Sequence, residues 1–245
     1  MDVRREALLP TEADHIRQSI AQDFLIVDVG NDLRLHHTFD DEEHEVFVRV
    51  IGILFEKLLP PISIRPEAKH QHNSIGLQQM VKLTGLGSSL FDKVVLNILA
   101  IREQFEAYLS GETFTGDGCG SPYQQHKGAT AACRYFTSCK DSPEGVDVAF
   151  LEGVDPKGVL FGLKGSNLFH AEDNMVDYFE QREAVDGNKR MIRCSPKVFA
   201  VGDIVECTIT FRVVPMGHEG SRMYKFLIRI NVISLLHKVL TQMST

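Results

Sequence analysis

The stretch from Ile204 to Val232 constrains the fold more than any other part of this chain, because two runs within it alternate apolar and polar residues. In the first, Val205, Cys207, Ile209, Phe211 and Val213 share one face and Glu206, Thr208, Thr210 and Arg212 the other, the period of a half-buried strand. In the second, Tyr224, Phe226, Ile228, Ile230 and Val232 oppose Lys225, Arg229 and Asn231, while Pro215, Gly217 and Gly220 mark a turn between the runs. Two strands so patterned and so joined predict a β-hairpin. Apolar must face apolar, and a like-charge pair between Arg212 and Lys225 must be avoided. The register expected is therefore Glu206 opposite Arg229 and Thr210 opposite Lys225.

With 245 residues, 43% of them hydrophobic, the chain can bury a substantial core. Met1 to Gln22 contains acidic residues and no apolar run, so the expectation is an intracellular protein, cytoplasmic or nuclear, with neither signal peptide nor membrane span. Cys119, Cys133, Cys139, Cys194 and Cys207 are odd in number and lack C-x-x-C spacing, and no Asn-x-Ser/Thr acceptor occurs; reduced thiols are expected. The net charge of -7 is unevenly spread. Gly187 to Thr245 holds nine Lys/Arg against three Asp/Glu, a balance of +6 that leaves -13 for the preceding residues. The basic segment either docks on the acidic part of its own chain or meets a polyanion.

Along the chain, Thr11 to Gln22 reads as a helix and Phe24 to Val29 as a strand. The acidic cluster Asp40 to Glu43 precedes the apolar run Val46 to Leu59, which reads as a helix stopped by Pro60 and Pro61. From a capping box at Ser89 and Asp92, a second helix carries Phe91, Val94, Ile98, Ile101, Phe105 and Leu109 at three- and four-residue steps until Gly111; its expected partner is the Val46 to Leu59 segment. Gly116, Asp117, Gly118, Gly120, Ser121 and Pro122 then form a loop. Strands are expected at Val146 to Leu151, Val159 to Leu163, Asn167 to His170, Met175 to Phe179 and, after the turn Asp186-Gly187, Met191 to Cys194. The fold class read from this pattern is α+β: a helical region over 1–111, a loop-rich connection over 112–145, and an antiparallel β barrel or sandwich over 146–245, packed together.

No motif fixes a reaction; there is no P-loop, no G-x-G-x-x-G and no G-x-S-x-G elbow. His170 and Glu172, two residues apart on an expected strand, project to one side and could both reach a metal. With His218 and Arg229 downstream, the order resembles the iron- and 2-oxoglutarate-dependent oxygenases, in which a His-x-acid pair and a distal His bind iron and an Arg binds the cosubstrate. Other ligand-type groupings are His36-His37 with Asp40, Asp41 and His44, His70-Gln71-His72, and Cys119, His126, Cys133 and Cys139, none with a specific spacing. Arg212, Lys225 and Arg229 on the outward face of the hairpin, preceded by Lys189, Arg190, Arg193 and Lys197, make a basic strip that could track phosphates, with the aromatics assigned to the apolar side. Phe199 to Val205 reads as an aromatic, a turn at Gly202 in which Asp203 bonds back to the chain, and the start of a strand.

Gly153-Val154-Asp155-Pro156-Lys157-Gly158 through His170-Ala171-Glu172-Asp173-Asn174, together with Pro196 through Gly202-Asp203-Ile204-Val205-Glu206 to Arg229 and Leu235-Leu236, resemble a group of uncharacterised proteins of mushroom-forming fungi. The similarity covers roughly the C-terminal hundred residues and implies a fungal intracellular protein with no assigned activity. The functional expectation is a non-enzymatic binding or interaction module without a cofactor. The alternatives are an iron and 2-oxoglutarate oxygenase using His170, Glu172, His218 and Arg229, and a nucleic-acid or other polyanion binder using Arg212, Lys225 and Arg229.

Overall fold

The computed structural model describes residues 24–238 apart from 31, 40, 63–73, 117–118, 121, 185–186 and 217–222. The expected helix over Thr11 to Gln22, Asp40, the His70-Gln71-His72 group, Asp186, and the turn residues Gly217, His218 and Gly220 lie outside them. Five strands carry the core: β4 (Val48–Leu58), β5 (Gln78–Thr84), β7 (Gly128–Arg134), β12 (Ile204–Met216) and β13 (Met223–His237). β4, β5 and β7 form an antiparallel meander, β12 returns to lie beside β4, and β13 pairs antiparallel with β12 and parallel with β7 at Arg229↔Ala132. The result is a closed five-stranded Greek-key barrel. Flanking it, β1 (Phe24–Val29), β2 (Asp32–Phe39) and β3 (Glu42–Glu45) extend the sheet beyond β12, while β10 (Asp177–Glu183) and β11 (Lys189–Arg193) extend it beyond β13; β6 (Thr113–Thr115) pairs with the start of β13. A small second sheet joins β8 (Thr137–Ser138) to β9 (Leu168–Phe169).

This corrects the α+β reading of a helical first half packed on an antiparallel barrel. Two α-helices occur among the described residues, and strands occupy most of 24–84. Val46 to Leu59 is not a helix but β4, in which Val50, Gly52 and Leu54 are buried while Arg49, Ile51 and Glu56 are exposed. A short apolar run fits both periods, and the β-branched Val48, Val50, Ile51 and Ile53 with Gly52 at their centre favour the extended one. β7, a barrel strand, lies inside the segment read as a loop-rich connection. The sheet is mixed rather than antiparallel, since β13 runs parallel to β6, β7 and β10. Val159 to Leu163 is a helix, α2 (Val159–Lys164), because Asp155 accepts the amides of Leu160 at 3.1 Å and Phe161 at 2.9 Å and so satisfies its first turn. Val146 to Leu151 forms no strand.

The helix α1 (Ser89–Tyr108) forms where its stripe predicts, burying Phe91, Val94, Ile98, Ile101 and Phe105, although its N-cap, Ser88, makes no side-chain capping bond. Its partner is indeed the β4 segment. A Cβ on Gly52 would lie 2.9 Å from Phe91 Cε2 and 3.1 Å from Leu83 Cβ, so the glycine lets the helix sit against the strand. One hydrophobic cluster runs from Leu35 through the helix and barrel to Leu235.

The terminal hairpin forms, but in a different register. Thr210 faces Arg229, Phe211 faces Ile228 and Val213 faces Phe226, a displacement of four residues along β13 from the expected pairing; Glu206 faces Ser234. An even displacement keeps the same faces together, so apolar contact cannot discriminate between the two registers. Charge avoidance at Arg212 was the wrong arbiter, because Arg212 faces Leu227. Asn231 is then an extra residue: Thr208 pairs with Val232 and Ile209 with Ile230, and beyond this bulge the buried face of β13 switches to Ile233 and Leu235.

Candidate functional site

The bulge lies where the edge of β13 passes from β7, at Arg229↔Ala132, to β10, at Asp177↔Val232. Into that gap fits a 3-10 turn, Glu172–Asn174, which is held from behind by Asn174. The Asn174 side chain is buried, and its Oδ1 accepts from Ala171 N at 2.8 Å and Thr137 Oγ1 at 3.0 Å. Asp173 is thereby presented to three arginines from three strands. Arg212 of β12 donates through Nη1 and Nη2 to its two carboxylate oxygens at 3.0 and 3.1 Å; Arg34 of β2 donates to Oδ2 at 2.8 Å; Arg229 of β13 donates through Nε to its backbone carbonyl at 2.9 Å and through Nη1 to Asn231 Oδ1. Asn231 Nδ2 in turn donates to Thr210 Oγ1 at 3.2 Å, so the bulge residue fixes Arg229 from one side and Thr210 from the other.

Two more carboxylates flank the arginines. Asp32 lies 3.5 Å from Arg212 Nη1, and Glu45 lies 3.7 Å from Arg34 Nη1 and 3.9 Å from Arg212 Nε. The Arg212 side chain is 9% exposed and Arg34 15%, whereas Asp173 is 47% exposed, so the acid sits at the mouth with the guanidiniums behind it. Burial acts to raise the Asp173 pKa, but the Arg212 hydrogen bonds and the charges of Arg212, Arg34 and Arg229 outweigh it and hold the carboxyl well below the usual range. Asp32 behaves oppositely, its burial outweighing the nearby arginines and raising its pKa. Among the described residues, Arg34 Nε, Arg212 Nε, Glu45 Oε1 and both ring nitrogens of His36 are buried without a hydrogen-bond partner.

The basic strip read from the sequence is therefore divided. Arg212 and Arg229 are engaged with the 171–174 turn, and Lys225 alone of the three is exposed. Lys189 to Arg193 form β11, every residue of which is exposed, with Arg193 3.0 Å from Asp177. His170 is 3% exposed; its Nδ1 lies 2.8 Å from the Tyr135 carbonyl, so Nδ1 carries the proton, and its ring packs on Phe150 at 4.2 Å. Burial lowers its pKa against the opposing pull of that hydrogen bond and of Asp147. Glu172 is exposed in the 3-10 turn, not beside His170 on a strand, because β9 ends at Phe169. His218 lies outside the described residues, among which no three His, Cys, Asp or Glu are grouped to hold a metal. His37 and His44 pack with tilted rings, centroids 5.8 Å apart, across the β2–β3 hairpin. The five thiols are free, and burial pushes Cys133 and Cys207 upward and Cys194 up to about 11, so none of these three is a thiolate at neutral pH.

Sequence reasoning passed over Arg34 and gave Asp173 no role of its own. The signal for Arg34 is the alternation of Leu33 and Leu35 with Asp32, Arg34 and His36, which reads as a strand with one charged face. Also missed was an aromatic pair. Phe55 is the extra residue of a bulge in β4, between Leu54↔Leu83 and Glu56↔Lys82, and it stacks on Tyr123 at 4.8 Å. Tyr123 is set there by a tight turn bridged to His126, whose central residues Gln124 and Gln125 both have positive φ, 46° and 71°. Both rings remain partly exposed, with Lys82 22% exposed and paired to Glu56 nearby and Lys127 exposed beyond the turn.

A five-stranded Greek-key barrel capped by a helix is a barrel of the oligonucleotide- and oligosaccharide-binding (OB) type, which sets the class to which this fold belongs. No family model matches the chain, and no curated protein matches it. Among solved structures it is similar to gp2.5, a single-stranded DNA binding protein encoded by bacteriophage T7, at 9% identity and a TM-score of 0.42, covering 79% of this chain and 87% of that one. No helix among the described residues is long and apolar enough to cross a membrane.

Proposed function

We propose that this chain is a non-enzymatic binding module whose ligand is single-stranded nucleic acid, bound across the outer face of the barrel. The observation that carries the reading is the connectivity β4-β5-β7-β12-β13 closed by a parallel β7/β13 pair, since barrels of this type take extended oligomers across their second and third strands. Here those strands are β5 and β7. The stacked Phe55 and Tyr123 at the border of that face offer a surface for bases, and Lys57 and Lys127, two and four positions along the chain from these rings, with Lys82 of β5, supply cations for phosphates. β11 adds Lys189, Arg190 and Arg193 on an exposed strand at the sheet margin.

The test is fluorescence anisotropy with a labelled oligothymidylate. Binding is expected to weaken steeply between about 50 and 200 mM salt. Phe55→Ala and Tyr123→Ala are each expected to weaken it by roughly 5- to 100-fold, the equivalent of about 1–3 kcal/mol per stacked base. An oligonucleotide that stays unbound by the folded protein at low salt would overturn the proposal.

A further inference from the structure

We infer that Arg34, Arg212 and Arg229 form an oxyanion site for a phosphodiester, and that Asp173 occupies it as an internal substitute for the ligand. The inference deepens the nucleic-acid reading and rests on it for the identity of the natural ligand. Three features of the cluster support it. First, the charges around the Asp173 carboxylate, once that group is set aside, are Arg34, Arg212 and Arg229 against Asp32 and Glu45, an excess of one cation that an anion must meet. Second, the guanidiniums carry more donors than Asp173 engages, its carboxylate taking three N–H bonds. Oδ2 of Asp173 is shared by Arg34 Nη2 and Arg212 Nη1, while Nε of both arginines is buried and unpartnered among the described residues; Arg212 Nε faces Glu45 Oε1 at 3.9 Å, beyond hydrogen-bonding reach. A tetrahedral oxyanion offers more acceptor directions than a planar carboxylate. Third, the acid is the exposed partner and the guanidiniums the buried ones, so an incoming anion meets Asp173 first and needs only its side chain to rotate, Asn174 continuing to hold the turn.

The site also lies in line with the proposed strand path. Arg229 pairs with Ala132, and Ala132 with Met80 of β5, so the clamp continues the outer face of β5 and β7 sideways onto β13 and β12. Asp173 therefore acts as an autoinhibitory contact, displaced more readily by a ligand that is anchored elsewhere on the face than by a free anion.

The experiment compares the wild-type chain with Asp173→Asn, which keeps the side-chain shape and one acceptor while removing the charge. Thermal unfolding is followed in sulfate against chloride at matched ionic strength, and oligothymidylate affinity is measured alongside. Sulfate is expected to raise the unfolding temperature of the variant more than that of the wild type, and oligonucleotide affinity is expected to rise on the order of tenfold. A folded variant whose response to sulfate equals that of the wild type would overturn the inference. Should Asp173→Asn fail to fold by circular dichroism, the wild type decides: the Nε–H resonances of Arg34 and Arg212 are expected to move with sulfate and not with chloride, and immobile resonances would refute the site. The two readings separate cleanly. A variant that takes sulfate while neither protein binds oligonucleotide retains the oxyanion site and removes the nucleic-acid reading; equal oligonucleotide binding without a sulfate response does the reverse.

Discussion

At the scale of single residues, the sharpest consequence concerns His170. Burial holds its pKa below the ordinary imidazole value in the folded chain, whereas the unfolded chain titrates near about 6.5. Above that pH both states are neutral and stability does not depend on this group. Below it the unfolded chain binds a proton that the folded chain excludes, so stability is lost as the pH falls toward the folded pKa, with a slope of at most about 1.4 kcal/mol per pH unit. His36, lowered chiefly by burial, adds in the same direction. Urea midpoints measured between about pH 7.5 and 5.5 are expected to fall, and His170→Gln, which keeps an N–H for the Tyr135 carbonyl, is expected to flatten the dependence without abolishing it. A variant with the wild-type slope would show that His170 is not the source. Residue chemistry was legible in part here: His170 stood out as a metal-ligand candidate paired with Glu172, yet its role is a satisfied hydrogen bond under Phe150, which only the meeting of residues 135, 150 and 170 decides.

At the scale of elements, periods of 3.6 and 2 gave different returns. The stripe of α1 extends over five turns and admits one reading, so the helix was legible to within a residue or two. Eleven residues of β4 admit two, and local composition alone must arbitrate. The contact between the two elements depends on small residues: a Cβ on Gly85 would lie 2.3 Å from Phe91 Cβ and 2.7 Å from its Cγ, atoms too close to the helix backbone to move aside. Gly85→Ala is therefore expected to cost about 1–3 kcal/mol of stability, seen as a lower denaturant midpoint at unchanged slope. A neutral substitution would mean that α1 does not sit on the β4–β5 surface in solution. The hairpin shows the limit from the other side. Alternation identified both strands and the inward face of each, but the displacement of four residues and the Asn231 bulge follow from where β4, β2, β7 and β10 engage the two strands, and those partners are distant in sequence.

At the scale of the whole molecule, the single hydrophobic cluster from Leu35 to Leu235 makes the barrel indivisible. A fragment of residues 146–245 holds β12 and β13 but loses β4, β5 and β7, leaving Cys207, Ile209, Phe211 and Ile230, all buried to within 2% in the intact chain, without their covering layer. That fragment is expected to give no cooperative thermal transition, against a single transition for the full chain; cooperative unfolding of the fragment would establish an independent C-terminal domain. The sequence by itself determined which residues alternate, where α1 runs, where turns interrupt the chain and how charge divides between its ends, because each is set by neighbours a few positions away. Barrel closure, the parallel pairing of β13, the hairpin register and the gathering of Arg34, Arg212 and Arg229 around Asp173 were decided by tertiary structure, since each depends on backbone hydrogen bonds and buried charges between segments up to about two hundred residues apart.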